Sequence, residues 1–366
     1  MAGVTDRRTP RNRGVAPDGL AARIALITLL LAGAAAAAPP IEPPVAIDEV
    51  DPAARMLDGD GAGEAWDVSA RLEGGSHFFV RFWITNEGPG SHTGVAMGYF
   101  VGSDGRVTRF QYGRTRDRWQ SSERGRFLKV ASAVLDLRGP SGSVEIDTDK
   151  GGMKIYLRFD IPNALAPICA WRDGKSGFDV LRLQNDVDGT AWIKGMAKPI
   201  AARGTVDITH AWGDASEIDT VLRRVDASGR DGDVAYFATS VRPPGVGAVA
   251  RSCVAVVDGG DVVYESREAA VEEAAPLAAT ERDYPMPSRL AFRDDALQLT
   301  VEPARELLRV NPLEIVPQPF RTLLSLRSAP RRAWAEGHWQ LRLDQKGAAI
   351  ERRGNGVTAV TYTNPR

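Results

Sequence analysis

Four histidines occur in the 366 residues, and none pairs with another at the spacing of a metal-binding strand or helix. His210 has the surroundings that best suggest chemistry. It lies in Gly204-Thr-Val-Asp-Ile-Thr-His-Ala-Trp-Gly213, where Val206, Ile208, His210 and Trp212 share one face of an alternating run. An inward imidazole there could hold the polar end of a ligand or move a proton. It could equally be a core histidine satisfied by the protein. Asp207 points to the other face, so Asp214 is the carboxylate placed to serve His210 if the chain is an enzyme. His92 follows a Gly-Pro-Gly loop and is expected at a barrel rim, and Trp83 is a further aromatic contact candidate.

Other motifs fail on context. Gly245-Val-Gly-Ala-Val-Ala250 has dinucleotide spacing, but a β-rich run follows where a helix is required. Asp58-x-Asp60 starts like a calcium loop, but Ser69 stands at the twelfth position in place of the bidentate Glu. No Gly-x-Ser-x-Gly elbow is present. No metal or cofactor is therefore expected. Cys169 and Cys253 could form a disulfide or be two separate buried thiols; sequence alone leaves both open.

The elements that must carry these residues are strands. Met153, Ile155, Leu157 and Phe159 alternate with Lys154, Arg158 and Asp160, the pattern of a half-buried strand. Similar runs recur from Trp66 to Tyr362, broken by turn-rich segments such as Gly139-Pro-Ser-Gly142, Asn185-Asp-Val-Asp-Gly189 and Gly354-Asn-Gly356. Short strands with frequent turns mean an antiparallel all-β fold, and the absence of βαβ alternation argues against a nucleotide-binding parallel sheet. Only Glu268–Arg282, rich in Ala and Glu, has helical character.

Residues 1–38 read as a signal peptide: arginines, then an apolar run from Ile24, then small residues before Pro39. The run is too short to span a bilayer, so no stable membrane span is expected after its removal. Export to the periplasm or medium follows. Losing residues 1–38 removes five Arg and two Asp and leaves a net charge of −4, which gives no basis for binding nucleic acid. Residues 39–63 read as a Pro/Gly-rich linker, 64–200 as a first barrel and 201–366 as a second. The oligomeric state is not legible.

Three segments in order carry a family resemblance: Phe79-Val-Arg-Phe-Trp-Ile-Thr-Asn-Glu-Gly-Pro-Gly-Ser-His-Thr93, Gly204–Gly213, and Tyr236-Phe-Ala-Thr-Ser-Val-Arg-Pro-Pro-Gly-Val-Gly247. They resemble the oxidative-stress survival-factor family, part of a wider group of tandem lipocalin-like proteins with carotenoid hydratases and tocopherol-cyclase-like enzymes. The resemblance implies two calycin barrels in tandem with little helix, each with a mouth able to take an apolar ligand. Gly63-Glu-Ala-Trp66 is similar to the lipocalin Gly-x-Trp start with one residue added. In the hydratase branch an Asp tends to precede the His-x-Trp-Gly segment, whereas Thr209 stands here. Three functions are consistent with this reading. One is an exported carrier of a lipid or isoprenoid through His210, Trp212, Trp83 and His92. The second is a hydratase or cyclase acting by acid catalysis. The third is an interaction protein with filled barrels.

Overall fold

The structure, a computed structural model, describes residues 51–362 apart from 60, 87–90, 123–125, 149–151, 161–166, 174–175, 214–222, 243–249, 278–283, 316–320, 323–324, 326–329 and 346–347. The expected signal, residues 39–50 of the expected linker, and Asp214 lie outside the described residues.

Thirteen strands make the first sheet: β1 (Gly63–Leu72), β2 (Ser76–Thr85), β3 (Thr93–Val101), β4 (Val107–Arg114), β5 (Trp119–Ser121), β6 (Phe127–Val130), β7 (Ala133–Asp136), β8 (Ser141–Asp147), β9 (Met153–Asp160), β10 (Trp171–Asp173), β11 (Ser176–Ile193), β12 (Ile200–Ala201) and β13 (Gly204–Gly213). Nine make the second: β14 (Arg223–Asp231), β15 (Val234–Arg242), β16 (Arg251–Asp258), β17 (Asp261–Ser266), β18 (Ala270–Glu273), β19 (Leu290–Arg293), β20 (Leu297–Val310), β21 (Arg331–Gln345) and β22 (Ala348–Tyr362). The fold is thus all-β, with a nearly closed barrel followed by a half-barrel. Every strand pairing is antiparallel.

In the first sheet the order is β4-β3-β2-β1-β13-β11-β9-β8-β7-β6-β5. The remaining gap is bridged by side chains. Trp119 of β5 donates its indole N–H to the His92 carbonyl at 2.7 Å, and its ring lies where a Cβ on Gly94 would be. Alternation sets the interior. On β1 it takes Glu64, Trp66, Val68, Ala70 and Leu72 inward, all buried, and on β13 Val206, Ile208, His210 and Trp212. Together with Phe78, Phe82, Phe100, Ile155 and Leu157 the apolar ones among these form the core of the barrel. Burying each large apolar side chain contributes about 1.5–3 kcal/mol.

The half-barrel has the order β17-β16-β15-β14-β22-β21-β20-β19-β18 and a core around Tyr236, Trp339, Phe292 and Leu341. The two sheets belong to one compact unit and pack outer face to outer face. Phe178, Val180 and Leu183 of β11 meet Phe237, Ala255 and Val257, and the Cys169–Cys253 disulfide, with Cα atoms 5.6 Å apart, joins the sheets there. A second seam sets Phe79 of β2 against Trp334 of β21, ring centroids 4.9 Å apart.

Several sequence expectations change. Gly354-Asn-Gly356 is not a turn but the middle of β22, where a Cβ on either glycine would crowd the Trp339 indole. Asn185–Gly189 is not a hairpin tip but part of β11, and Gly189 lets the backbone of Tyr156 approach where a Cβ would lie 1.9 Å from its carbonyl oxygen. The Glu268–Arg282 helix is absent from its described part, where Ala270–Glu273 pairs with β19 as a charged sheet edge. Gly204–Gly213, placed by sequence at the opening of the second half, hydrogen-bonds to β1 and β11 within the first sheet.

Candidate functional site

The mouth of the first barrel lies where β1 and β3 begin and β2 and β13 end. Registers place Gly63 opposite both Thr85 and Gly213, and Thr85 opposite Thr93. Trp66 is opposite His210 and Glu64 opposite Trp212 across β1 and β13, so all four side chains face inward at this end. His210 Nε2 lies 2.8 Å from Glu64 Oε1. Both side chains are withdrawn from solvent, His210 fully and Glu64 to 2% exposure. The imidazole stacks on Trp66 (centroids 4.4 Å, planes 11° apart) and tilts against Trp212 at 4.8 Å. Its Nδ1 is buried without a hydrogen-bond partner.

A carboxylate–guanidinium pair stands beside it. Asp179 of β11 is opposite His210 in register, so it shares the inward face, and it is fully buried. Arg172 of β10 grips it with two bonds of 2.7 and 2.9 Å, a forked geometry that fixes both groups. The Arg172 guanidinium also lies 4.6 Å from the centre of the Trp212 ring, and that of Arg55 lies 3.9 Å from it. Gly177 makes room, since a Cβ there would sit 2.3 Å from the Trp212 ring.

Residues 51–57 cross the mouth. Arg55 N–H reaches both oxygens of Glu64 at 2.8 and 2.9 Å, Met56 N–H reaches Oε2 at 3.1 Å, and Trp66 donates to the Pro52 carbonyl at 3.1 Å. His92 lies on this rim, its Nε2 3.4 Å from the Met56 carbonyl and 3.6 Å from Asp58. Trp83 lies elsewhere, half-buried on the outer face of β2 with Phe79 and Arg81, its indole against Gly63. The carboxylate that meets His210 is Glu64, which sequence reasoning missed. Its signal was the extra residue in Gly63-Glu-Ala-Trp66, which places an acid two positions before an inward Trp.

Chemically, a buried carboxylate and imidazole 2.8 Å apart can share one proton and can present a polar end to an apolar guest. Among the described residues no three His, Cys, Asp or Glu side chains are grouped to hold a metal. No described helix is long and apolar enough to cross a membrane. Two concavities lie outside the barrel interior. One of about 30 Å³ is at the seam by Asp67, Arg81 and Arg332. The other, about 430 Å³, is an open groove on the outer face of β8, β9 and β11 beside Tyr156 and Trp192.

The seam holds its own polar network. Asp67, on the outer face of β1, accepts bonds of 2.7 and 2.8 Å from Arg81 and a third from Arg332. Burial alone would raise its pKa, but the charges of Arg332 and Arg81 hold it well below the usual carboxylate range. His77 Nε2 meets Glu336 at 3.0 Å, and burial lowers the His77 pKa despite that carboxylate. Asp207 accepts bonds of 2.6 Å from Gln184 and Ser228, while burial pushes its pKa up.

No protein-family model matches the chain, and no curated protein matches its sequence. Solved structures do match. A protein assigned as AttH from Nitrosomonas europaea superposes with a TM-score of 0.61 at 12% identity, covering 88% of this chain and 100% of that one. CghA with Sch210972 gives 0.60 at 12% identity, covering 88% and 97%. Kievitone hydratase from Nectria haematococca gives 0.51 at 8%, covering 89% and 99%. At these identities the likeness is one of fold alone, shared over nearly nine tenths of the chain's length.

Proposed function

We propose that the protein is an exported, survival-factor-like member of the tandem lipocalin-like group. In this reading it binds one lipophilic small molecule at the mouth of the first barrel, with His210 and Glu64 meeting the ligand's polar end. The observation that carries this reading is the buried Glu64–His210 pair, facing inward between Trp66 and Trp212. A polar pair so placed costs desolvation free energy that an apolar core would not. Its position at a barrel mouth, rimmed by indole rings, matches what a guest with an apolar body and one polar end requires. The fold neighbours agree with a small-molecule role, since CghA is described with Sch210972 and another neighbour is a hydratase.

The same pair favours a second reading, acid catalysis of the hydratase or cyclase type. A proton passed from the pair to an alkene carbon leaves a carbocation. Water adds to it and returns a proton to the pair, so the cycle closes without a cofactor.

The test is native mass spectrometry of gently purified protein, followed by solvent extraction. A stoichiometric apolar passenger that is lost in His210→Ala, with the fold retained, is the expected result. Absence of any passenger, together with no thermal shift from lipids or isoprenoids, contradicts the proposal and favours filled barrels that serve protein contacts.

A further inference from the structure

The segment across the mouth supplies what a ligand would. Its two backbone N–H groups, from Arg55 and Met56, occupy both oxygens of Glu64. Its Arg55 guanidinium covers Trp212, and its Pro52 carbonyl takes the Trp66 indole N–H. Every one of these contacts is to a residue that lines or holds the His210 site. No strand ladder holds the segment. It precedes β1 and belongs to no strand. Met56 sits at φ +52°, a left-handed conformation that a residue with a side chain adopts only under external restraint. Beyond its bonds to Glu64 and Trp66, the segment is held by Asn86, which bonds the Leu57 and Gly59 carbonyls, by His92 near Met56, by an Asp51–Arg126 pair at 3.4 Å, and by Ala54 and Met56 packing on the core.

We infer that residues 51–57 are a strap that closes the Glu64–His210 site and stands in for its ligand, which is a lipophilic molecule ending in a hydrogen-bond donor such as an alcohol. This rests on the ligand-binding reading of that site. The head group follows from what Glu64 accepts. Its oxygens are met by backbone N–H donors, so a hydroxyl can replace them, whereas a carboxylate head has no proton to offer them and would leave acceptors facing acceptors in a buried setting. The strap must leave before any guest reaches His210, and it competes with the guest for Glu64. If it is closed nine tenths of the time, its release raises apparent affinity about ten-fold.

The experiment compares the whole wild-type chain with Met56→Pro and Arg55→Ala. Proline fixes φ near −65° and removes the Met56 donor, so it cannot hold the observed strap. Arg55→Ala keeps the backbone donors, loses only the cation over Trp212, and should raise affinity about three-fold. Three readouts are taken: proteolytic nicking within 51–57, acylation of His210 by diethyl pyrocarbonate mapped by mass spectrometry, and titration with farnesol and farnesoic acid. The expected result for Met56→Pro is faster nicking, His210 modified where the wild type is protected, and farnesol bound about ten-fold tighter than by wild type. Farnesoic acid should bind the same variant at least about ten-fold more weakly than farnesol, the penalty of burying acceptor oxygens against acceptor oxygens.

Nicking unchanged in Met56→Pro, or faster nicking with His210 still protected and farnesol affinity unchanged, overturns the strap. Equal binding of alcohol and acid overturns the donor-headed ligand. Modified His210 with neither compound bound leaves the strap standing and refutes the ligand-binding reading instead. Should Met56→Pro fail to fold, Arg55→Ala decides, and unchanged farnesol affinity there counts against the strap.

Discussion

Replacing Asp67 by Asn tests how the site's platform is anchored. β1 carries Glu64 and Trp66 on its inner face and Asp67 on its outer face, where the carboxylate joins Arg81 of the same sheet to Arg332 of the other. Asp67→Asn leaves two guanidinium groups facing a neutral amide. Breaking a fully buried ion pair by removing one partner costs about 3–5 kcal/mol. Here the side chains of Asp67, Arg81 and Arg332 retain 20%, 26% and 11% exposure, so solvent screening reduces the expected loss to about 2 kcal/mol. In a chain of this size that lowers Tm by about 4 °C. The sign of the pH dependence follows from the lowered pKa of Asp67. Its contribution is fully present above the unfolded carboxylate pKa, near 4, and is lost as pH falls below that toward the folded value. Thermal melting from pH 8 down to 3 should therefore show a constant gap between wild type and Asp67→Asn at neutral pH that begins to narrow only below about pH 4. Adding Arg332→Met to Asp67→Asn should recover part of the loss, since it removes the stranded charge. A loss under about 0.5 kcal/mol, or a gap that does not change with pH, would refute the reasoning.

Other perturbations probe the seam and the second core. Burial lowers the His77 pKa, so its contribution is present above the unfolded histidine value near 6.5 and lost as pH falls below it. His77→Gln should flatten the stability profile between about pH 6.5 and 5, measured by chemical denaturation. Replacing Cys169 and Cys253 together by Ser opens a loop of 84 residues that ties the sheets, with an expected loss of up to about 4.5 kcal/mol in non-reducing melts and no effect of added reductant on the variant. Gly229→Ala would set a Cβ 2.4 Å from the Trp339 indole nitrogen, so it should cost about 1–3 kcal/mol by overpacking and change near-UV circular dichroism.

The strands were legible because one face of each is buried and period two survives in the residue types. Met153–Asp160 is the plain case: read as a strand, it runs over those same residues as β9. Turn chemistry misled where glycine serves close approach. Gly354 and Gly356 look like a hairpin tip but leave room for the Trp339 indole in mid-strand. The Ala- and Glu-rich stretch after Glu268 has helical propensity, yet at Ala270–Glu273 edge pairing to β19 overrides it. At the site, alternation alone put His210 and Trp212 on the inward face of β13. Glu64 escaped notice because its partner lies 146 residues away, and long-range register has no local signature. The proline run at 39–44 and the glycine loop after Asp58 made residues 39–63 read as a linker and so concealed the mouth-crossing role of 51–57, whose contacts to Glu64 and Trp66 depend on tertiary position.

The central claim is a location, and photo-crosslinking tests it most directly. Protein is irradiated with a diazirine-bearing isoprenoid alcohol, with and without excess unlabelled farnesol, and labelled peptides are mapped. The account predicts competed labelling on the β1 and β13 peptides that carry Trp66, His210 and Trp212. Labelling confined to the outer groove beside Tyr156 and Trp192, or labelling that farnesol does not compete, would contradict it.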